Sequence, residues 1–198
     1  IYSGVENLEL SGWFYDVDTI SSIAYADGVY SKELENLSYE IGLQFANFGE
    51  LDVSLVDGSV YGAMASLSFN NLTLSGAYNS SSNDDGKFAI NGFGGGPYFT
   101  SMDEMTIDGI NDAKAYMIGL GYNLSSIMPH DVAIDLAYGV FEDGDNLQET
   151  KEMDIVLSGN LTNELSMEVI YANIEDDKDS LNDDLNFDRV VARVNYSF

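Results

Sequence analysis

The chain has no cysteine, one histidine, two prolines and only seven lysines and arginines among its 198 residues. Each scarcity removes a class of protein. Without cysteine there is neither a disulfide framework nor a thiolate metal site. Seven cations against 34 carboxylates leave a net charge of -27, which repels polyanions and excludes nucleic acid as a partner. No stretch approaches the ~18 to 20 consecutive apolar residues that a membrane helix needs. If the chain lies in a bilayer it does so as a barrel, because only helices and closed sheets satisfy every backbone group in lipid. The opening residues, I-Y-S-G-V-E-N-L-E-L, carry no charged segment followed by an apolar run. They read as the start of a chain whose secretory signal has been removed, or of the C-terminal part of a longer one.

What the sequence has in quantity is alternation. Hydrophobic residues make up 45% and aromatic residues 12%, enough for a packed structure rather than disorder. Counting back from the C-terminus, Phe198, Tyr196, Val194, Ala192 and Val190 form one apolar row at period two. Ser197, Asn195, Arg193, Val191 and Arg189 fill the other. The same pattern predicts strands over 8–15, 39–46, 61–69, 72–79, 116–122, 132–139, 153–158 and 165–172. Residues 20–30 are β-like, but Asp27 and Gly28 interrupt either choice of face. The count is about ten strands, and no helical period competes.

The connections fall into two sets. Those at 31–36, 70–71, 124–130 and 159–164 are short, and those at 49–58, 80–112, 141–150 and 173–186 are mostly longer and acidic. The short turn at 16–19 is the exception in the second set. One short rim and one long charged rim is how an outer-membrane barrel is built, with the short turns periplasmic. Tyr116 and Tyr122, at the two ends of an apolar row, stand roughly 20 Å apart at strand rise, a spacing suited to two aromatic girdles.

The terminal strand, ending on Tyr196 and Phe198, resembles the C-terminal signature strand that closes bacterial outer-membrane barrels and is read by the insertion machinery. The run N-G-F-G-G-G-P-Y-F-T-S-M-D-E-M-T-I-D-G-I at 91–110, followed by A-Y-M-I-G-L-G-Y, resembles the corresponding region of OprD-type porins, including their epsilonproteobacterial relatives. The resemblance implies an all-β, antiparallel transmembrane β-barrel in the bacterial outer membrane. Family members have eighteen strands, so residues 1–198 would be one barrel domain, the C-terminal part, without the signal peptide and N-terminal strands. The loop at 80–112, third outer loop from the end, would fold into the lumen and narrow a channel for small hydrophilic solutes and ions. Outer-membrane lipid, lipopolysaccharide and the insertion machinery are the implied partners. No cofactor is implied, and a homotrimer is left open.

If the apolar rows face lipid, Glu40, Gln44, Asp135, Asp154, Glu168, Arg189, Arg193 and Asn195 face the lumen. Arg189 and Arg193, four apart on one strand, point inward roughly 13 Å from each other. The family's basic ladder, which guides carboxylate-bearing solutes, is what the resemblance suggests for them; pairing with Glu168 or Asp154 is the alternative. In the loop, Gly94, Gly95 and Gly96 let backbone approach the opposite wall. Pro97, Tyr98, Phe99 and Thr100 brace the constriction, and Asp103, Glu104 and Asp108 set a negative local potential. The acidic groups Glu142, Asp143, Asp145 and Glu175, Asp176, Asp177, Asp179 lack the calcium-loop spacing that ends in a glutamate at position twelve. A solvated rim, bridged to lipopolysaccharide phosphates by divalent cations, is the simpler expectation, with no dedicated metal site.

Two rivals remain: a small closed outer-membrane barrel with an enzymatic role, and one with a structural or adhesin role. Against the enzyme, the only histidine, His130, follows Pro129 on the presumed periplasmic rim. No G-x-S-x-G, H-E-x-x-H or phosphate-binding loop occurs.

Overall fold

In the computed structural model, which describes residues 2–49, 53–90, 97–128, 131–144, 149–176 and 186–197, the chain is one antiparallel sheet. Its strands are β1 (Tyr2–Val5), β2 (Leu8–Val17), β3 (Ser21–Glu33), β4 (Leu37–Phe48), β5 (Gly58–Phe69) and β6 (Leu72–Ser82). They continue with β7 (Lys114–Asn123), β8 (Asp131–Glu142), β9 (Glu149–Asn160), β10 (Leu165–Asp176) and β11 (Phe187–Tyr196). Neighbours in sequence are neighbours in the sheet throughout. The eleven strands exceed the expected ten by β1, whose four residues are too short to show a period. The long loop is shifted slightly from 80–112, because β6 continues pairing as far as Ser82.

Turn chemistry sets the register. Asn70-Asn71 closes the β5–β6 hairpin as expected, with Asn70 at φ 53°, a conformation that asparagine tolerates. Glu6-Asn7 does the same between β1 and β2, with Asn7 at φ 66°. Because the side-chain period is two, each register then assigns a whole row to one face. Tyr25 opposes Ala46, Asp27 opposes Gln44, and Glu40 opposes Ser66 on one face. On the other face Ala26 opposes Phe45, Gly28 opposes Leu43 and Leu120 opposes Leu136.

The second face is apolar and uncovered. Leu43, Ile118, Val190 and Val194 are each more than 60% exposed, in a protein whose core residues approach zero. In water such a continuous greasy surface would be an aggregation site; it is the surface a bilayer covers. Phe45 with Tyr61, and Tyr78 with Tyr116, stack at centroid separations of 5.2 and 5.0 Å toward the long-loop rim. Tyr30 with Tyr39, at 6.1 Å, does so toward the short-turn rim. Two aromatic belts therefore flank the apolar band.

The hydrophobic core lies against the first face, which is concave. Ile23 and Tyr25 of β3, Ala46 and Phe48 of β4, Val60 of β5, Ala115 of β7 and Phe141 of β8 pack around Ala89, Tyr98 and Ile107 of the long loop. This decides the face of β3 that alternation left open. Its apolar residues Ile23 and Tyr25 point inward because the loop is there to bury them, and Ala24, Ala26 and Gly28 point outward.

Candidate functional site: a loop moored across the concave face

The β6–β7 loop begins as a closed neck. Asn83 N–H donates to Asp112 at 2.7 Å and Asp112 N–H donates back to Asn83 Oδ1 at 3.1 Å, while Ser81 Oγ accepts from Ala113 N–H. Above the neck the chain turns over the concave face instead of away from it. Tyr98, only 3% exposed, donates its hydroxyl to Ile90 carbonyl at 2.8 Å. Burial, with help from Asp108 and Tyr25, raises the Tyr98 pKa well above the ordinary phenol value, so the group stays neutral and anchors the turn.

From there nine residues, 97–105, cross the face between two sets of partners. At the first, Gln44 of β4 and Asn79 of β6 form a buried amide pair, Asn79 Nδ2 donating to Gln44 Oε1 at 2.9 Å. Gln44 Nε2 donates to Pro97 carbonyl at 3.0 Å and to Tyr25 hydroxyl at 2.6 Å, while Gln44 Oε1 accepts from Phe99 N–H at 3.1 Å. Asn79 Oδ1 accepts from both the N–H and the hydroxyl of Thr100, at 3.0 and 3.1 Å. Every bond here is between neutral groups.

The second set is built on carboxyl groups and two arginines. Glu152 of β9, fully buried, accepts from Glu104 N–H at 2.9 Å and Met105 N–H at 2.7 Å with its two oxygens. Asp154, one rung on, accepts from Asp103 N–H at 3.1 Å. The side chains of the same loop residues turn toward β11: Arg193 donates to Asp103 at 3.2 Å and to Glu168 of β10 at 2.7 Å, and Arg189 pairs with Glu104. A buried carboxyl group taking two backbone N–H groups stands beside a guanidinium shared between two carboxylates, and only the latter bonds are charge-assisted.

The eight residues expected in the lumen all have registers that put them on the concave face. They do not share one environment there. Gln44 and Asp154 are covered by the loop, Glu40 is half-exposed, and Asp135, Arg189, Arg193 and Asn195 are exposed. Of the loop residues, Pro97, Tyr98, Phe99, Asp103 and Glu104 lie on the concave face, whereas Gly94, Gly95 and Gly96 lie outside the described residues. Asp103 and Glu104 do not stand as free negative charges, because arginines meet them. Tyr196 ends β11 on the apolar face, 65% exposed; Phe198 is outside the described residues, as are Pro129, His130, Asp145, Asp177 and Asp179. Among the described residues no group of three or more histidines or carboxylates is arranged to hold a metal.

Sequence reasoning missed Glu152, Asn79 and Tyr25. Glu152 stands two residues before Asp154, so the same period that turned Asp154 inward turns Glu152 inward too; that was the available signal. Asn79 shares its face with Thr73 and Ser75 and has no distinguishing neighbour in sequence.

No protein-family model matches the sequence, and no curated protein does. Solved structures do match in fold. The structure of OccAB2 from Acinetobacter baumannii superposes with a TM-score of 0.79 at 17% identity, over 98% of this chain and 52% of that one. OccK10 (OpdN) of Pseudomonas aeruginosa gives 0.75 at 14% identity, covering 100% of this chain and 58% of that one. OprD of the same organism gives 0.75 at 16%, covering 98% and 58%. The outward apolar rows, the two rims and the strand order thus have a common explanation: this chain has the fold of the OprD-type outer-membrane β-barrel porins, over about half of their length.

Proposed function

We propose that the protein is an outer-membrane channel through which small hydrophilic solutes and ions diffuse, narrowed by residues 97–105. The observation that carries this reading is the crossing itself. A surface loop of a barrel has water on every side, whereas this one is bonded to β4, β6, β9 and β11 on the single face that lipid does not touch. Glu40, Asp135, Glu168 and Asn195 line the open part of the path in this reading. Arg189 and Arg193 hold the loop instead of forming a free ladder for carboxylates, since their guanidinium groups are already engaged. The exposed acidic groups favour cations. The chain spans about half the length of the solved structures it matches, so the remaining wall, the solute and any trimer belong to the whole protein. Outer-membrane lipid, lipopolysaccharide and the insertion machinery are the partners this reading implies.

The test is planar-bilayer conductance of the complete protein encoded by its gene, beside a variant in which residues 98–105 are replaced by a short Gly-Ser linker. Channels in the parent and a several-fold larger conductance in the variant are expected. Equal conductances would remove the constriction, and a folded, non-conducting parent would remove the channel.

A further inference from the structure

Two buried acids share one small space beneath the loop. Glu152 and Asp154 stand at successive inward positions of β9, 0% and 5% exposed, with their carboxyl groups within hydrogen-bonding reach of each other. The wall beside them carries no polar side chain: Glu152 is flanked by Gly139 of β8 and Ile174 of β10, Asp154 by Ala137 and Ala172. Three loop N–H groups reach both oxygens of Glu152 and Oδ2 of Asp154, and Asp154 Oδ1 is left buried with no partner. Among the described residues neither acid is in an ion pair, because Arg189 and Arg193 of β11 meet Asp103, Glu104 and Glu168 instead. The remaining charged groups that face this space are carboxylates too: Asp103 and Glu104 from the loop, Asp135 of β8 opposite Val156, and Glu168 of β10. Thr150 and Val156, the inward neighbours on β9 itself, are uncharged. A proton resolves the arrangement. One neutral carboxyl donating its O–H to the other satisfies Oδ1 and leaves one buried charge in place of two.

Resting on the membrane-channel reading, we propose that Glu152 and Asp154 share one proton while the loop is moored, and that losing it on alkalinisation releases residues 103–105 and widens the passage. Glu152 is the donor and Asp154 Oδ1 the acceptor, the one oxygen of the four that no loop N–H reaches. Without the proton, two anions meet at hydrogen-bonding distance in a buried site, and no unengaged cation is at hand to offset them. Lifting the loop removes the conflict, because water then reaches Glu152 and lets it ionise as an exposed glutamate does. The moored state therefore holds one proton more than the released state, so the mooring is firm in acid and weakens as the pH rises. Release is one-sided. Pro97, Phe99 and Thr100 are held by the amides of Gln44 and Asn79, which do not titrate.

The experiment measures single-channel conductance and amide-exchange protection of the complete refolded protein between about pH 6 and about pH 9, above the range in which exposed carboxylates titrate. Protection of Glu104 and Met105, corrected for intrinsic exchange, should fall by up to about tenfold per pH unit, the linkage of one proton. Conductance should rise reversibly over the same range, with Phe99 and Thr100 still protected. Asp154→Asn is the decisive variant. Its carbonyl can accept from Asp103 N–H and its amide can donate to Glu152 at any pH, so the loop should stay moored and the response should vanish. Glu152→Gln, whose amide can donate to Asp154, should be equally flat from a weaker starting mooring, and it serves if Asp154→Asn does not fold. Glu168→Gln, which faces the loop only through Arg193, should keep the response. A conducting parent with flat protection and flat conductance overturns the shared proton and leaves the channel standing. A response that persists in Asp154→Asn and Glu152→Gln also overturns it, assigning the titration elsewhere, His130 included, since histidine titrates in this range. A folded parent that conducts at neither pH overturns the channel and the gate with it.

Discussion

The two moorings of the long loop solve the same problem with opposite chemistry. On the β4–β6 side a buried pair of amides, Gln44 and Asn79, holds Pro97, Phe99 and Thr100 with neutral hydrogen bonds. On the β9–β11 side carboxylates and guanidinium groups hold residues 103–105. Neutral bonds in a buried site respond little to salt, whereas half-exposed ion pairs are screened by it. Buried acceptors therefore fix the loop on both sides, and the exposed arginine pairs of the second mooring are the part that salt can loosen.

The comparison can be broken most severely at Glu152. Leaving a buried donor without a partner costs about 1–3 kcal/mol, so Glu152→Ala, which orphans two backbone N–H groups, should weaken this mooring by about 2–5 kcal/mol. Amide hydrogen exchange at Glu104 and Met105 should accelerate by orders of magnitude, with Phe99 and Thr100 largely spared. Glu152→Gln should fall between, since its amide nitrogen would face one of the two donors.

Asn79→Ala tests the other side. Removing the acceptor for both Thr100 donors should cost about 1–2 kcal/mol and accelerate exchange at Thr100, leaving Glu104 and Met105 protected. Gly62→Val probes the same mooring without touching a bonding group. Gly62 lies opposite Asn79 on β5, and a Cβ there would run into Asn79 Nδ2 and come within 2.8 Å of Gln44 Oε1. A shift in the amide pair and noisier single-channel records are expected, and an unchanged record would show that the pair has room to yield.

The smallest effect belongs to the arginines, which are exposed. Arg189→Gln with Arg193→Gln should move the reversal potential toward cation selectivity by freeing Asp103 and Glu104, and should make the current noisier. High salt should mimic the noise in the parent. A swing in which only carboxylate-bearing solutes lose flux would favour the ladder over the mooring.

Much of the sheet was legible because a period of two survives any tertiary context: the strands with apolar rows such as Ile41-Leu43-Phe45 were read with their faces. The strand β3 was not, since its inward residues Ile23 and Tyr25 are as apolar as its outward ones, and only the covering loop separates them. The loop was recognisable from its length and its Gly-Pro-Tyr run, and its position over the concave face was expected from a resemblance. Its partners were illegible for a simpler reason. Gln44 and Phe99 lie 55 residues apart, and Met105 and Glu152 lie 47 apart; no local pattern encodes which carboxylate meets which amide. Arg193 is legible as a cation facing inward with Glu168 as a candidate partner, whereas Asp103, which shares it, is not legible without the loop's path.

The strict meander of the sheet also dictates an order of events. Strands that pair only with their sequence neighbours can be added one hairpin at a time, with short loop closures and little entropy to overcome at each step. The amide mooring needs only β4 and β6, which are in place when the loop is made, but the charged mooring waits for β9 and β11. Assembly in sequence order thus passes through a half-tethered stage, and the loop is fixed on both sides only once β9 and β11 have joined the sheet.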